Sequence, residues 1–315
     1  MKFKFNSNCL LIFYFIFFLS SCTLINKSEE NELRLAYMPN VTHATALIGI
    51  EKEIFQHELG GGIKLKTNHF VVGNSIIDAF ITNQIDIAYI GPGPFINAIY
   101  RKVPVKLLSG AAYGGTVIIG DNKTKELNKT SRVVVPQYGN TQDLILRIYL
   151  QNKNLLDKLN IIAIPMQDTG SAFFTMSVDA ACLPEPWGTI LLEKGNFNLI
   201  EDEKSLFANG KYPVTLLIVK SEYQKKNPDA VKRFIKAHEK INMFIAEKPE
   251  LAAEIVAKSI SNISRKKIDK NIIEKALSRC SFSDKLDLSI MEELKSAGVR
   301  AGYYKKEFLN ENICN

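Results

Sequence analysis

Ile85-Asp86-Ile87-Ala88-Tyr89-Ile90 runs straight into Gly91-Pro92-Gly93-Pro94, and 93 residues later Val178-Asp179-Ala180-Ala181-Cys182-Leu183 runs into Pro184-Glu185-Pro186-Trp187. In both places an acid opens a short apolar run that ends at a proline-stiffened turn, the pattern of a buried strand with a sharp stop. Working outward, Ala79-Phe80 answers Ala172-Phe173 at the same offset of 93, and residues 34–43 answer 132–141 at an offset of 98. The chain therefore carries one plan twice, the two copies differing by a loop of about five residues.

Each copy alternates short apolar runs with amphipathic helical stretches, the signature of βαβ units and mostly parallel sheet. Strands are predicted at 33–37, 64–72, 86–90 and 105–111, with helices at 42–55, 75–83 and 95–101. After Asp202 one extended run, 214–220, precedes helices at 229–246, 250–259, 269–278 and 288–304; Pro228 and Pro249 stand at two of the helix starts. The reading is a two-lobed α/β protein with a helical C-terminal region, lobe 1 at 33–115 and 215–315 and lobe 2 at 116–214. The chain crosses between lobes near 114–119 and again near 212–217, and two crossing strands make a hinge suited to closing on a ligand.

In such sheets the pocket lies beyond the carboxyl ends of the parallel strands, where helices start. The turns expected there hold Asn40, Thr42 and His43; Gly73, Asn74 and Ser75; Gly91, Pro92 and Gly93; Gly139, Asn140, Thr141 and Gln142; and Glu185 with Trp187. Small residues let a ligand approach the backbone, and hydroxyls and amides can bond it. Each of these turns can also be an ordinary helix cap; their common position at one end of both sheets is what makes them a candidate site. No Lys or Arg stands in them, so a bound anion would depend on backbone dipoles and hydroxyls. His43 either bonds an anion or begins a helix. Glu185 and Trp187 either supply a carboxylate and an aromatic wall to a solute bearing an amino group, or serve as a helix N-terminal acid and an interlobe packing residue.

The N-terminus sets the address. Lys2 and Lys4 precede an apolar run of eleven residues, 9–19, too short to span a bilayer but suited to a secretory signal. Leu19-Ser20-Ser21-Cys22 resembles the bacterial lipoprotein box. A signal at 1–21, lipidation of Cys22 and a polar tether at 22–32 are expected, placing the protein outside the cytoplasm on a lipid anchor. Losing the two lysines takes the net charge of +7 to +5, with no dense basic block, so nucleic acid is not an expected partner. The 46% apolar content of 315 residues suits two packed domains in one chain, a monomer. Of the cysteines beyond Cys22, Cys182 reads as a buried small hydrophobe, while a Cys280–Cys314 bridge stays open.

Catalytic, metal and cofactor sites are not expected. The run Gly91-Pro92-Gly93 is followed by Ile96 where a dinucleotide loop needs glycine; there is no GxxxxGK[ST] loop and no GxSxG elbow. The four histidines, His43, His57, His69 and His238, have no metal-ligand spacing.

The segments LRLAYMPNVTHATAL, IDIAYIGPGPFINAIY, GAAYGG, VVVPQYGNTQD, VDAACLPEPW and GKYPVTLLIVK together resemble the type II periplasmic-binding-protein superfamily, in its nitrate, sulfonate, taurine and thiamine-precursor branch, most of all its aliphatic-sulfonate binders. The resemblance implies a solute-binding component of an ABC importer, with a membrane permease and its ATPase as partners. It adds Tyr113 and Gly114 to the ligand residues. It implies a sulfonate or taurine-like solute, with nitrate, bicarbonate or a thiamine-pyrimidine precursor as alternatives, or a surface or sensor lipoprotein without a transporter. The pyrimidine synthase of thiamine biosynthesis is similar in fold, but its cysteine-rich iron-binding run is missing here.

Overall fold

The computed structural model describes residues 32–156, 158–175, 178–206, 212–286 and 289–312. The expected signal, Cys22 and nearly all of the tether, together with Cys314, lie outside them. In chain order the elements are β1 (Glu32–Tyr37), a 3₁₀ turn (Val41–His43), α1 (Ala44–Glu51), α2 (Ile54–Leu59), β2 (Lys64–His69), α3 (Gly73–Ile81), β3 (Ile87–Ile90) and α4 (Pro92–Tyr100). Then come β4 (Val105–Gly114), β5 (Thr116–Asp121), β6 (Arg132–Val135), α5 (Thr141–Asn152), β7 (Asn160–Ala163), α6 (Thr169–Thr175), β8 (Ala180–Pro184), α7 (Trp187–Leu192) and β9 (Phe197–Glu201). Then follow α8 (Glu203–Leu206), β10 (Pro213–Lys220), α9 (Ser221–Lys226), α10 (Pro228–Glu247), α11 (Pro249–Ser264), α12 (Lys270–Leu277), β11 (Cys280–Phe282), α13 (Ser289–Arg300) and a 3₁₀ turn (Lys306–Asn310).

One sheet has the order β11-β4-β10-β3-β1-β2 and the other β7-β6-β8-β5-β9. The duplicated sequence reappears as duplicated register. Leu35 lies opposite Ile87 in the parallel pair β1/β3, and Val133 opposite Ala180 in β6/β8, which are the same offsets of 98 and 93. The acid that opens each motif has one job in both copies: Asp86 accepts the Arg34 N–H at 2.9 Å and Asp179 accepts the Arg132 N–H at 2.7 Å, each satisfying a donor beyond the end of the ladder. Each sheet then takes an antiparallel strand from after a crossing, β10 beside β3 and β5 beside β8.

The outward crossing falls at Gly114 and Gly115, whose φ values of 72° and 68° only glycine adopts freely. The two crossings touch, the Gly114 N–H donating to Tyr212 O at 3.0 Å. The helix expected over 42–55 is in fact broken: Glu53 takes a left-handed φ of 54°. This turn folds Phe55 back onto Gly49, where a Cβ would lie 2.2 Å from the ring, and stacks Phe55 on Phe234 at 4.3 Å. Apolar burial thus outweighs the cost of one left-handed residue. Strand β11, at the edge of the sheet beside β4, was not foreseen, because three residues carry too short a pattern to read.

Helix α13 touches both α4 and α5, so the C-terminal region lies across both lobes rather than on lobe 1 alone. Its Met291, Leu294 and Ala297 belong to one apolar cluster with Phe95 and Ile96 of α4 and with Leu144 and Ile148 of α5. An apolar helix face long enough to serve two neighbours is covered by two neighbours.

Candidate functional site

A small cavity of about 30 Å³ lies where the two sheets face each other. Its walls are the segments that follow the parallel strands of both: Met38, Asn40, Thr42 and His43 after β1; Val71, Val72 and Gly73 after β2; Gly91 and Pro94 around the α4 start; Pro136, Gln137, Asn140, Thr141 and Gln142 after β6; Met166 after β7; and Pro184 ending β8. Val214 closes it from β10. Of the residues expected from sequence, Asn40, Thr42, His43, Gly91, Asn140, Thr141 and Gln142 meet here.

The lobes are in contact at this point. The Gly93 N–H donates to Thr141 Oγ1 at 3.2 Å, and the Val41 N–H to Glu185 O at 3.3 Å. Space of this size holds about two waters, so a solute of several heavy atoms would hold the lobes slightly further apart.

Most polar side chains of the site are engaged with one another. Thr42 Oγ1–H donates to Asn40 Oδ1 at 2.8 Å. Asn40, at the start of the 3₁₀ turn, makes no side-chain cap bond. Asn140 caps α5, its Oδ1 accepting the Asp143 N–H at 2.8 Å, and its Nδ2 reaches Gln142 Oε1 at 3.4 Å. Gln142 Nε2 donates to Thr116 Oγ1 at 3.2 Å.

Two side-chain atoms on the cavity wall are buried without a partner among the described residues: His43 Nε2 and Gln137 Oε1. His43 is 1% exposed. Its Nδ1 accepts the Met38 N–H at 3.3 Å, so Nε2 carries the proton. Burial lowers its pKa to about 3, leaving a neutral ring that donates one hydrogen bond. It does not cap a helix with its side chain.

Four expected residues have other occupations. Glu185, 0% exposed, places Oε2 on the Thr189 N–H at 3.0 Å and Oε1 3.3 Å from Arg279 Nε. Its carboxylate serves the α7 start, as the helix N-terminal acid that was one of its two readings, and an arginine from the other lobe. Burying that charge without a cation would cost several kcal/mol. Trp187 packs on the outer cluster of lobe 2 with Val117, Ile119 and Leu183, not on the cavity. Tyr113 turns away and donates to Lys285 O. Gly114 is the crossing residue; Ser75, Pro92, Gly93 and Gly139 are not on the cavity wall, although Gly93 seals its rim. Gln137, two residues after β6, was missed; Met38, directly after β1, and Val72, three residues after β2, lay in the candidate turns but were not singled out, because none of the three has the small or hydroxylated character sought there.

Behind the α5 start lies a buried support. Asp143, 0% exposed, accepts the Gly139 N–H at 2.7 Å, Arg147 Nε–H at 3.0 Å and the Tyr303 O–H at 2.7 Å. Arg147 Nη2–H in turn donates to Tyr303 Oη at 2.8 Å. A hydrogen bond to a charged group contributes about 1.5–3 kcal/mol, so Tyr303→Phe should lower stability by about 1.5 kcal/mol in urea titration; a midpoint equal to wild type would show the bond contributes nothing.

A second buried histidine matters for pH. His238 bonds Tyr89 OH at 2.8 Å and Asn242 Nδ2 at 3.0 Å, and its pKa falls to about 4, mainly through burial. Both folded values lie below the unfolded value of 6.5, so on acidification the unfolded chain binds protons first. Stability is present above pH 6.5 and is lost as pH falls toward 3. From pH 7 to 5 the two rings together should remove roughly 3 kcal/mol. His238→Gln and His43→Gln should each flatten that slope; an unchanged urea midpoint at pH 5 would contradict neutral burial.

Among the described residues no three His, Cys, Asp or Glu side chains converge as a metal site. A Brucella abortus binding protein is 27% identical over 252 residues, covering 78% of this chain and 75% of that one. Three solved structures share the fold. A ligand-binding component of an ABC-type import system from Staphylococcus aureus, with zinc bound, has a TM-score of 0.75 at 13% identity, covering 90% of this chain and 100% of that one. The periplasmic nitrate-binding protein of Synechocystis PCC 6803 has a TM-score of 0.74 at 16% identity, covering 90% and 85%. The periplasmic aliphatic sulphonate-binding protein of Escherichia coli has a TM-score of 0.72 at 14% identity, covering 89% and 91%. The NMT1-like family model matches residues 26–261, well over half of the sequence, and the chain belongs to the NMT1-like family.

Proposed function

We propose that this protein is the extracytoplasmic solute-binding component of an ABC importer, holding a small polar solute between its lobes and passing it to a permease and its ATPase without catalysis. The observation that carries this reading is the cavity itself, walled by the strand ends of two duplicated sheets and sealed by bonds between them. The crossing at Gly114 and Gly115 supplies a hinge. In this reading 1–21 is an export signal, Cys22 carries the lipid, 22–32 is the tether, lobe 1 comprises 33–115 and 215–315 with α13 reaching over to lobe 2, and lobe 2 comprises 116–214. A taurine-like sulfonate is the favoured solute class, in line with the sulphonate-binding protein that shares the fold.

The test is a thermal-shift screen against taurine, alkanesulfonates, nitrate, bicarbonate and aminopyrimidines. A binder present at 100 times its Kd adds about 2.7 kcal/mol of stability, a shift of several degrees. No shift from any of them at millimolar concentration would count against the reading.

A further inference from the structure

The polar inventory of the cavity narrows the class of solute. None of the residues on its wall carries a charge at neutral pH, given a neutral His43. The two acids beside it in sequence, Asp143 and Glu185, are paired with Arg147 and Arg279. A bare anion would have to be held by N–H groups alone, and several helix starts have already committed theirs. In the first turn of α4, Pro92 and Pro94 have no N–H, and that of Gly93 goes to Thr141. At α7 the Thr189 N–H goes to Glu185, and the Val41 N–H is tied to Glu185 O. At α5 the Asp143 carboxylate, inside the first turn, already offsets part of the positive end of the helix. The Thr141 and Gln142 N–H groups and the α3 start remain.

Two unpartnered side-chain atoms of opposite kind face this uncharged space: the donor His43 Nε2–H and the acceptor Gln137 Oε1. A ligand that answers only one leaves the other buried without a bond. We propose that the solute has no net charge and presents an acceptor and a donor together, the acceptor to His43 Nε2–H and the neighbouring α5 N–H groups, the donor to Gln137 Oε1. A zwitterion of the aminosulfonate kind, or a neutral heterocycle bearing an amino group, meets both demands; a bare oxyanion meets one. This specificity rests on the solute-binding reading above.

The experiment uses matched pairs that differ in the donor: taurine against ethanesulfonate, and 4-aminopyrimidine against pyrimidine, titrated calorimetrically into the detergent-purified full chain, with nitrate as a further probe. The donor-bearing member of at least one pair should bind at least tenfold more tightly than its partner. Gln137→Met should bring that pair to within about twofold of each other. Equal binding within both pairs, or nitrate bound as tightly as the better donor-bearing compound, would overturn the proposal and leave the solute-binding reading standing. A wild-type preference that survives Gln137→Met would overturn the role of Gln137. Heatless titrations with all five compounds would remove the solute-binding reading and this proposal with it.

Discussion

Gly93→Ala should weaken solute binding by about 10- to 100-fold while leaving each lobe folded. A Cβ on Gly93 would sit 2.6 Å from Asn140 C, 2.7 Å from Thr141 N and 2.8 Å from Gly139 O. All three are backbone atoms of the opposing turn, so no side chain can swing aside, and relief comes only by moving the lobes apart. That movement also breaks the Gly93 N–H bond to Thr141 Oγ1. Overpacking of this sort costs about 1–3 kcal/mol, which is about tenfold to a hundredfold in affinity. Because the strain exists only when the lobes meet, it opposes closure; a solute that keeps the lobes slightly apart relieves part of it, so the loss lies toward the tenfold end. Calorimetric titration of the variant and its radius of gyration by small-angle scattering check this. Wild-type affinity with an unchanged radius would show that closure at this rim is not needed for binding.

Arg279→Met should destabilise the protein by about 3–5 kcal/mol, more than any surface ion pair would. The reason is the burial of its partner, since removing one member of a buried pair strands the other's charge. Glu185 is 0% exposed and its other oxygen is held by Thr189, so it cannot turn to solvent. In the double variant Glu185→Gln, Arg279→Met the carboxamide can still accept the Thr189 N–H without stranding a charge, and most of the loss should return. A double-mutant cycle in urea separates these terms. Additive losses would mean that the pair is not coupled across the lobes.

The architecture was unusually legible because the chain repeats itself. The offsets of 98 and 93 read from letters are those by which Leu35–Ile87 becomes Val133–Ala180 in the sheets. A duplicated pattern states register as well as strand, since a slip of one residue would turn buried faces outward. The cavity was legible in position but not in chemistry. Strand-end turns do supply its walls, yet which polar atoms remain available depends on partners far away in sequence. Glu185 could be read as a ligand group or a helix N-terminal acid, and nothing near it in the chain announces Arg279, 94 residues on. The reach of Tyr303 to Asp143 spans 160 residues, and likewise shows only in the fold. Gln137 was passed over because local pattern rewards glycine, hydroxyls and caps, whereas its interest comes from an oxygen that finds no partner.

Hydrogen exchange, with and without the best binder from the screen, tests the account most directly. Amides at 38–43 and 71–75 in one lobe and at 137–142 in the other should gain protection together, because one solute is gripped from both sides. Protection confined to one lobe would contradict the account. So would protection centred on the larger hollow of about 510 Å³ near Ile245, Leu277 and Phe282.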